Sequence, residues 1–438
     1  MDKFFKVTQR GSSIQTEVIG GLVTFFAMAY IIFVNPSYLS ATGMDYYAVV
    51  IATCISSAIG CFLTAFIANL PFAQAPGMGL NAFFTYSICF GMGYTWQQAL
   101  AIVLLSGLLF LAIVMTPARR AVVAGMPPFL RSAISSGVGL FIAFIGFINA
   151  GVVIGFGEGL GVYTDLGDIT HGTPLLALIG LVLTAIMLAR KVRGAICIGI
   201  VVTTIIGIPM GLTVYNPMPI EFSRLALTAG QFSFSGLLDK GVLALITAIL
   251  SFALVDMFDT AGAVVSMAGR GQDTTEVENI EGASRVLIAD AIATCFGALL
   301  GTSTVTTYIE SGAGISEGAK TGLANVVTGI LFIAALFLAP IAGMIPAAAT
   351  APALIIVGVF MMQGAAEVDW SNFEQAAPAF LAITMMPFTY SISNGIAFGF
   401  ISYVLIKLAL GKAREVPLVM YIVSALFVAM FILTGIGG

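Results

Sequence analysis

Charged residues are scarce in this sequence, and their scarcity decides the class of protein. Only 9% of its 438 residues are Asp, Glu, Lys or Arg, whereas 59% are hydrophobic. A soluble domain carries about 25% charged residues, so a soluble globular protein is excluded. A transmembrane β-barrel would alternate apolar and polar residues in segments of about ten, and this chain has long apolar blocks instead. The composition therefore predicts an all-α polytopic membrane protein.

Histidine and cysteine are also rare. The single histidine, His171, falls in a polar loop, which argues against a histidine proton relay and against a metal site. The cysteines all lie in apolar runs, where they are interpreted as small core residues rather than disulfides or metal ligands. They are Cys54, Cys61, Cys89, Cys197 and Cys295. We expect no metal, no cofactor and no nucleic-acid partner.

Apolar blocks follow one another with short gaps, and most approach the roughly 20 residues that cross a bilayer. We place them at 17–36, 46–69, 73–90, 97–115, 131–150, 174–190, 194–212, 240–268, 282–300, 302–315, 320–342, 349–363, 375–389, 392–410 and 417–435. About fourteen are expected to span the membrane. The last block, 417–435, has no counterpart in the first half and is expected to be an extra or interfacial helix.

Basic residues cluster at alternate ends of these blocks. They precede the first block and follow the fourth, sixth, eighth, tenth and fourteenth, at Lys3, Lys6, Arg10, Arg119, Arg120, Lys191, Arg193, Arg270, Lys320, Lys412 and Arg414. The loop 151–173 on the opposite side holds Glu158, Asp165 and Asp168 but no Lys or Arg. Because basic residues favour the cytoplasmic side, we predict a multi-pass protein of the cell membrane with a cytoplasmic N-terminus.

The two halves of the chain repeat each other weakly. MPPFLRSAISSGVGLFIAF resembles IPAAATAPALIIVGVFMMQ, with Pro127 matching Pro346, and LLSGLLFLA resembles VVTGILFIA, with Gly107 matching Gly329. Seven blocks lie in each half, and an odd number of spans inverts the second half in the membrane. Two inverted seven-span repeats are typical of secondary transporters.

Two blocks make poor membrane helices. PFAQAPGMGLNAFFTYS has Pro and Gly packed at its start, and GTSTVTTYIESGAGIS is rich in Thr and Ser and carries Glu310. Both occupy the same place in their repeats, and a first-half linker about seven residues longer aligns Asn81 with Glu310. Broken spans at corresponding positions point to a transporter's binding site. We predict a short extended stretch and then a half-helix in each.

Embedded acids supply the chemistry of the expected site. Asp256 and Asp259 lie deep in the block 240–268, three residues apart and therefore on roughly one helix face. Intramembrane acids are costly and are functional by default. With Glu310 and the Asn81 amide, they suit a neutral, hydrogen-bonding solute that is coupled to H⁺ or Na⁺. Asp290 is interpreted as structural, because its block shows no break and no polar companions.

The sequence resembles the nucleobase–cation symporters, in the AzgA-like branch of purine transporters. The matching segments are spread over nearly the whole chain, at VNPSYLSATGMD, APGMGLNAFFTYS, FALVDMFDTAGAVVSMAG, GTSTVTTYIESGAGISEGAKTGLANVVTG and MMPFTYSISNGIAFGFI. The resemblance implies import of adenine, hypoxanthine or guanine by proton symport, and a homodimer. It also implies that a core domain, 1–115 and 240–342, slides like an elevator against a gate domain, 116–239 and 343–438.

The resemblance assigns a role to each site residue as well. It implies that Asn81, Asp256 and Glu310 bind the substrate. Gly79 and Asp259 match positions that the family needs for transport rather than mainly for binding. The proton carrier is expected to be Asp259 or Glu310, between which the sequence does not choose.

Other functions fit the residues less well. An intramembrane prenyltransferase needs two acidic motifs for Mg²⁺ and basic residues for a diphosphate, and this chain has one close acidic pair without a basic partner. A channel would need a continuous polar pore rather than two broken spans. An anion exchanger is disfavoured by the acids at the site. Within the transporter class, uracil, xanthine or another small neutral solute, and Na⁺ coupling, remain alternatives.

Overall fold

The chain folds into a bundle of helices crossed near its middle by two short strands. The computed structural model describes residues 2–116, 126–156, 163–214, 221–268 and 282–436. The helices of the first half are α1 Asp2–Phe5, α2 Ile14–Met28, α3 Ile31–Leu39, α4 Tyr46–Leu63, α5 Met78–Ala82, α6 Trp96–Met115, α7 Pro128–Asn149, α8 Gly172–Ala189 and α9 Ala195–Gly207. The π-helical turns Thr64–Ala68 and Phe83–Gly91 extend α4 and α5.

The second half repeats this arrangement. Its helices are α10 Val242–Ala268, α11 Ala283–Leu300, α12 Ser311–Ser316, α13 Gly322–Ala334, α14 Ala339–Ala342, α15 Ala347–Met361, α16 Phe373–Phe388, α17 Ile392–Ala409 and α18 Leu418–Ile436. The strands of the chain are β1 Gln74–Pro76, β2 Val153–Phe156, β3 Tyr163–Leu166 and β4 Val305–Thr307.

The helical membrane class is confirmed. Each predicted apolar block coincides with a helix or with a short strand followed by a helix. Ten helical segments of the described residues are long and apolar enough to cross a membrane, and two further apolar helices are shorter. The count of fourteen spans stays a prediction. The extra C-terminal helix, α18, packs against α17 and α10, where the Thr247 hydroxyl donates to Met430 Sδ at 3.2 Å.

One element in the loop 151–173 was not predicted. β2 and β3 form an antiparallel hairpin in which Val153 pairs with Leu166 and Ile154 pairs with Asp165. The β-branched residues at its start favour an extended backbone, but a two-stranded hairpin is too short to give a clear sequence pattern. Glu158, Arg119, Arg120 and Arg270 lie outside the described residues.

Both broken spans have the predicted form. β1 and β4 pair as antiparallel strands, with Ala75 opposite Thr306. The ladder continues at both ends, since Gly77 N donates to Thr304 O at 3.0 Å and Tyr308 N donates to Ala73 O at 2.9 Å. β1 leads into the half-helix α5, and β4 leads into the half-helix α12. Backbone that is not helical within a membrane must find partners inside the protein, and each broken span supplies them to the other.

Two glycines allow helices to close over this strand pair. A Cβ built on Gly60 of α4 would lie 2.9 Å from Gln74 Cβ and 3.0 Å from Val305 Cγ1. A Cβ on Gly297 of α11 would lie 2.6 Å from Ser303 O and 2.9 Å from Val305 Cγ2. Because only glycine lacks a Cβ, α4 and α11 can hold the strands at close range.

The predicted alignment of Asn81 with Glu310 stays a prediction. Both residues lie just beyond the paired strands, Asn81 on α5 and Glu310 immediately before α12.

The helices pack in two groups. α11 contacts α4 and α6, and α13 contacts α2 and α4, whereas α15 contacts α7 and α16 contacts α7 and α17. The first group comes from 1–115 and 240–342, and the second from the remaining ranges. The segment 221–239 contacts the first group, since Arg224 pairs with Asp45 at 3.1 Å. The division into a mobile core and a gate stays a prediction.

The strand pair can be tested by a cross-link. Gln74 and Thr307 face each other beside the hydrogen-bonded pair Ala73–Tyr308, and Gln74 Nε2 donates to Thr307 Oγ1 at 3.2 Å. Non-hydrogen-bonded partners have Cα atoms about 4.5 Å apart, which a disulfide can bridge. In a chain without its native cysteines, Gln74→Cys with Thr307→Cys should form a disulfide on mild oxidation, measured by loss of maleimide labelling.

The matched control moves one cysteine by a single residue. Gln74→Cys with Thr306→Cys places the two thiols on opposite faces of the ladder, because successive strand residues alternate, and should stay reduced. Equal oxidation of both pairs would contradict the register.

Candidate functional site

Asp256 lies in the middle of α10 and is 1% exposed. The helix continues through it because the flanking residues are apolar, as in FALVDMF. The Thr294 hydroxyl of α11 donates to Asp256 Oδ2 at 2.9 Å. Asp256 Oδ1 has no hydrogen-bond partner among the described residues. One carboxyl oxygen of Asp256 is therefore held by Thr294, and the other is a buried acceptor.

Asn81 supplies a hydrogen-bond donor, which complements the acceptor of Asp256. It lies on the half-helix α5 and is fully buried. The Ser303 hydroxyl donates to Asn81 Oδ1, so the second broken span holds the amide in place. Asn81 Nδ2, a donor, is without a partner in the part of the chain that the structure describes. Burying an unpaired donor or acceptor costs about 1–3 kcal/mol, which a bound ligand would recover.

Glu310 and Asp259 form a second, less buried group. Glu310 is the residue before α12, and both acids are partly exposed. The Tyr30 hydroxyl donates to Glu310 Oε1 at 2.6 Å. The carboxyl groups of Asp259 and Glu310 are close enough to interact electrostatically. Although Asp256 and Asp259 are three residues apart, one is held against α11 and the other lies beside Glu310.

A threonine network ties the acids to the strands. The Thr260 hydroxyl hydrogen-bonds the Asp290 carboxylate and lies 2.8 Å from Thr306 Oγ1 on β4. Thr294, which binds Asp256, also accepts from Val305 N at 3.2 Å. Sequence reasoning missed these hydroxyls. Spacing could have found one of them, because Thr260 follows Asp256 by one helical turn.

Asp290 is not isolated within its helix. It is fully buried, it accepts from Thr260, and its carboxyl interacts electrostatically with that of Asp256. Its polar companions come from α10 and not from its own block, so the sequence around Asp290 gave no sign of them. Asp290 Oδ1 is another buried acceptor without a partner among the described residues.

Gly79 lies at the boundary between α5 and α7 rather than among the polar groups. It is partly exposed, and a Cβ built on it would lie 2.4 Å from Val138 Cγ1 of α7. Any side chain at position 79 would therefore push against α7. The sequence-predicted residues thus comprise two buried residues, Asn81 and Asp256, two half-buried acids that interact electrostatically, and a packing position.

The chemistry of the site favours a neutral ligand. The segments that form it, 73–81, 252–262 and 302–311, contain no Lys or Arg. One amide donor, several carboxylate acceptors and hydroxyl groups can exchange hydrogen bonds with a polar, uncharged molecule. A few fixed polar groups in apolar surroundings are typical of small-molecule sites.

Comparisons with known proteins agree with this chemistry. The chain matches a family model described as "Permease family" over residues 15–398. It is 41% identical over 445 residues to the guanine/hypoxanthine permease PbuG of Bacillus subtilis, covering 99% of each chain. It is 38% identical over 428 residues to the adenine permease AdeP of Escherichia coli, covering 98% of this chain and 95% of the relative.

A solved structure shares the fold. The transmembrane domain of a cyanobacterium bicarbonate transporter, BicA, superposes with a TM-score of 0.64. The match covers 87% of this chain and 97% of that chain, at 17% sequence identity. At this sequence identity the comparison shows a shared architecture and gives no information about the substrate.

Proposed function

Because the chain belongs to the permease family, we propose that it imports a purine nucleobase, namely adenine, hypoxanthine or guanine, by proton symport. The chain is a transporter and not an enzyme, as its relatives are permeases. The purine assignment draws on two relatives named for purines, each matched along nearly its full length. We further propose a cell-membrane location with a cytoplasmic N-terminus; the homodimer stays a prediction.

One observation carries the substrate proposal: among the described residues, a buried donor and a buried acceptor near the strand pair have no hydrogen-bond partner. They are Asn81 Nδ2 and Asp256 Oδ1. A purine presents N–H donors beside ring-nitrogen or carbonyl acceptors along its edges and so offers a partner to each. Glu310 Oε2 can accept a further N–H from the ligand. Site groups left unpaired by the wrong ligand give strong discrimination.

The proposal of proton coupling rests on the neutral charge of the purine and on the acids of the site. A purine base is neutral near pH 7, so its accumulation needs a co-transported cation. Asp259 and Glu310 are partly exposed, whereas Asp256 and Asp290 are buried. We place the exchangeable proton on Asp259 or Glu310. Its binding removes one charge from the loaded site and lowers the cost, several kcal/mol per uncompensated charge, of carrying that site past apolar surfaces.

The contacts between the two helix groups support movement of one against the other. α5 touches α7 at Gly79, and Arg193, before α9, pairs with Glu317, after α12. The second contact is a partly exposed ion pair, which can break at low cost. We propose that the core, with strands and acids, slides against the gate.

Measuring purine binding to an Asp256 variant tests the proposed site. Asp256→Asn removes the negative charge of the free acceptor while keeping the size of the side chain. A lost hydrogen bond to a charged group costs about 1.5–3 kcal/mol, so the dissociation constant for adenine or guanine should rise by about tenfold to a hundredfold. Equilibrium binding to detergent-solubilised protein measures it. The exposed Asp165→Asn is the control, and wild-type affinity in Asp256→Asn would remove this acid from the site.

Uptake tests the coupling. Vesicles with an imposed pH gradient, alkaline inside, should accumulate labelled purine above equilibrium in the absence of Na⁺. A protonophore should abolish the accumulation. Accumulation that follows a Na⁺ gradient and ignores pH would replace the proton with Na⁺. Purine equilibration that responds to neither gradient would make the protein a facilitator.

A compensated pair of variants tests the movement. In Gly79→Ala the new methyl group meets Val138, whose branched side chain has few rotamers to move into. Maximal uptake should fall at least tenfold, with purine affinity within about threefold of wild type. Val138→Ala should restore uptake to Gly79→Ala, since it removes the atom that collides. If uptake stays low in the double variant, the α5–α7 contact is not what position 79 controls.

A further inference from the structure

Tyr30 lies where the first membrane span is interrupted. α2 ends at Met28, α3 begins at Ile31, and Tyr30 stands between them with no capping side chain of its own. The residue is 1% exposed. This break lies at the depth of the strand pair, because the Tyr30 hydroxyl reaches Glu310 at the end of the second broken span.

The hydroxyl of Tyr30 has one defined partner. It donates to Glu310 Oε1 at 2.6 Å, a short, charge-assisted distance if the acid is ionised. Its ring lies beside that of Tyr308, with centroids 6.4 Å apart, and the Tyr308 hydroxyl donates to Pro76 O at 2.5 Å. The two tyrosines thus attach the Glu310 segment to both the first span and β1. Among the described residues, no other side chain hydrogen-bonds Glu310.

This arrangement leaves the two oxygens of Glu310 unequal. Oε1 is engaged by Tyr30, and Oε2 is the oxygen left for a ligand. A carboxyl group on a flexible Glu side chain would otherwise rotate and lose conformational entropy on binding. The hydrogen bond from Tyr30 restricts the Glu310 side chain before the ligand binds. Less conformational entropy is then lost on binding, and affinity is higher.

We propose that Tyr30 is a positioning residue for substrate: its hydroxyl holds Glu310 so that Oε2 accepts an N–H of the nucleobase. The inference deepens the proposed function and rests on it. If Tyr30 only filled space in the core, its aromatic ring would suffice and its hydroxyl would need no partner. Tyr38 on α3 shows this, since its ring is as buried as that of Tyr30 although its hydroxyl has no partner in the described chain.

The test removes the hydroxyl and keeps the ring. In Tyr30→Phe the apparent KM and the dissociation constant for adenine or guanine should rise about tenfold, the loss expected for one charge-assisted hydrogen bond. Maximal uptake at saturating purine should stay within about twofold of wild type. A structural defect would lower the maximal rate or the amount of protein in the membrane instead.

Two further variants tie the effect to Glu310. In a Glu310→Gln background, which has already lost the carboxylate, adding Tyr30→Phe should change affinity by less than about twofold. Tyr38→Phe is the matched control and should bind like wild type. If Tyr30→Phe does not reach the membrane, O-methyltyrosine at position 30 removes the same donor and should give the same rise in KM.

The outcomes separate this inference from the function on which it rests. Wild-type affinity in Tyr30→Phe, or an equal loss of affinity in the Glu310→Gln background, would overturn the role of Tyr30 while purine transport stands. If the wild-type protein binds no purine, the proposed function itself fails and the inference falls with it.

Discussion

The antiparallel pairing of β1 with β4 is the constraint on which the rest of the site depends. Two spans that leave the helical conformation expose backbone N–H and C=O groups, which cost several kcal/mol each in an apolar surrounding. Here each interrupted span satisfies the other through the ladder around Ala75 and Thr306. Neither half-repeat can make this structure alone, so the site exists only where the two halves meet.

Residues of the neighbouring helices also hold the strand pair in place. Thr260 and Thr294 bind β4 from α10 and α11, and they also bind the buried acids. Gly60 and Gly297 let the neighbouring helices close over the strands. The hydroxyls that hold the backbone in place are thus the hydroxyls that orient the carboxylates. A change in one must disturb the other, which explains why so much of the polar content of the core is concentrated here.

Much of this was predictable from the sequence, because the strongest signals are local. Pro and Gly at 76–79 and the run Thr304–Thr307 break an apolar pattern, and Asp256 and Glu310 stand out against apolar neighbours. Partners from distant spans were not predictable: Tyr30 looks like any aromatic residue of an apolar run until the fold brings it to Glu310.

The acids fall into two pairs by burial, a division that the sequence does not show. Asp256 and Asp290 are enclosed, engaged by threonine hydroxyls, and electrostatically coupled to each other. Two interacting carboxyl groups in a low dielectric do not both ionise cheaply. Asp259 and Glu310 are partly exposed. Under the proposed coupling, Asp256 recognises the base together with Asn81 and Glu310, and a proton on Asp259 or Glu310 changes the charge of the site in each cycle.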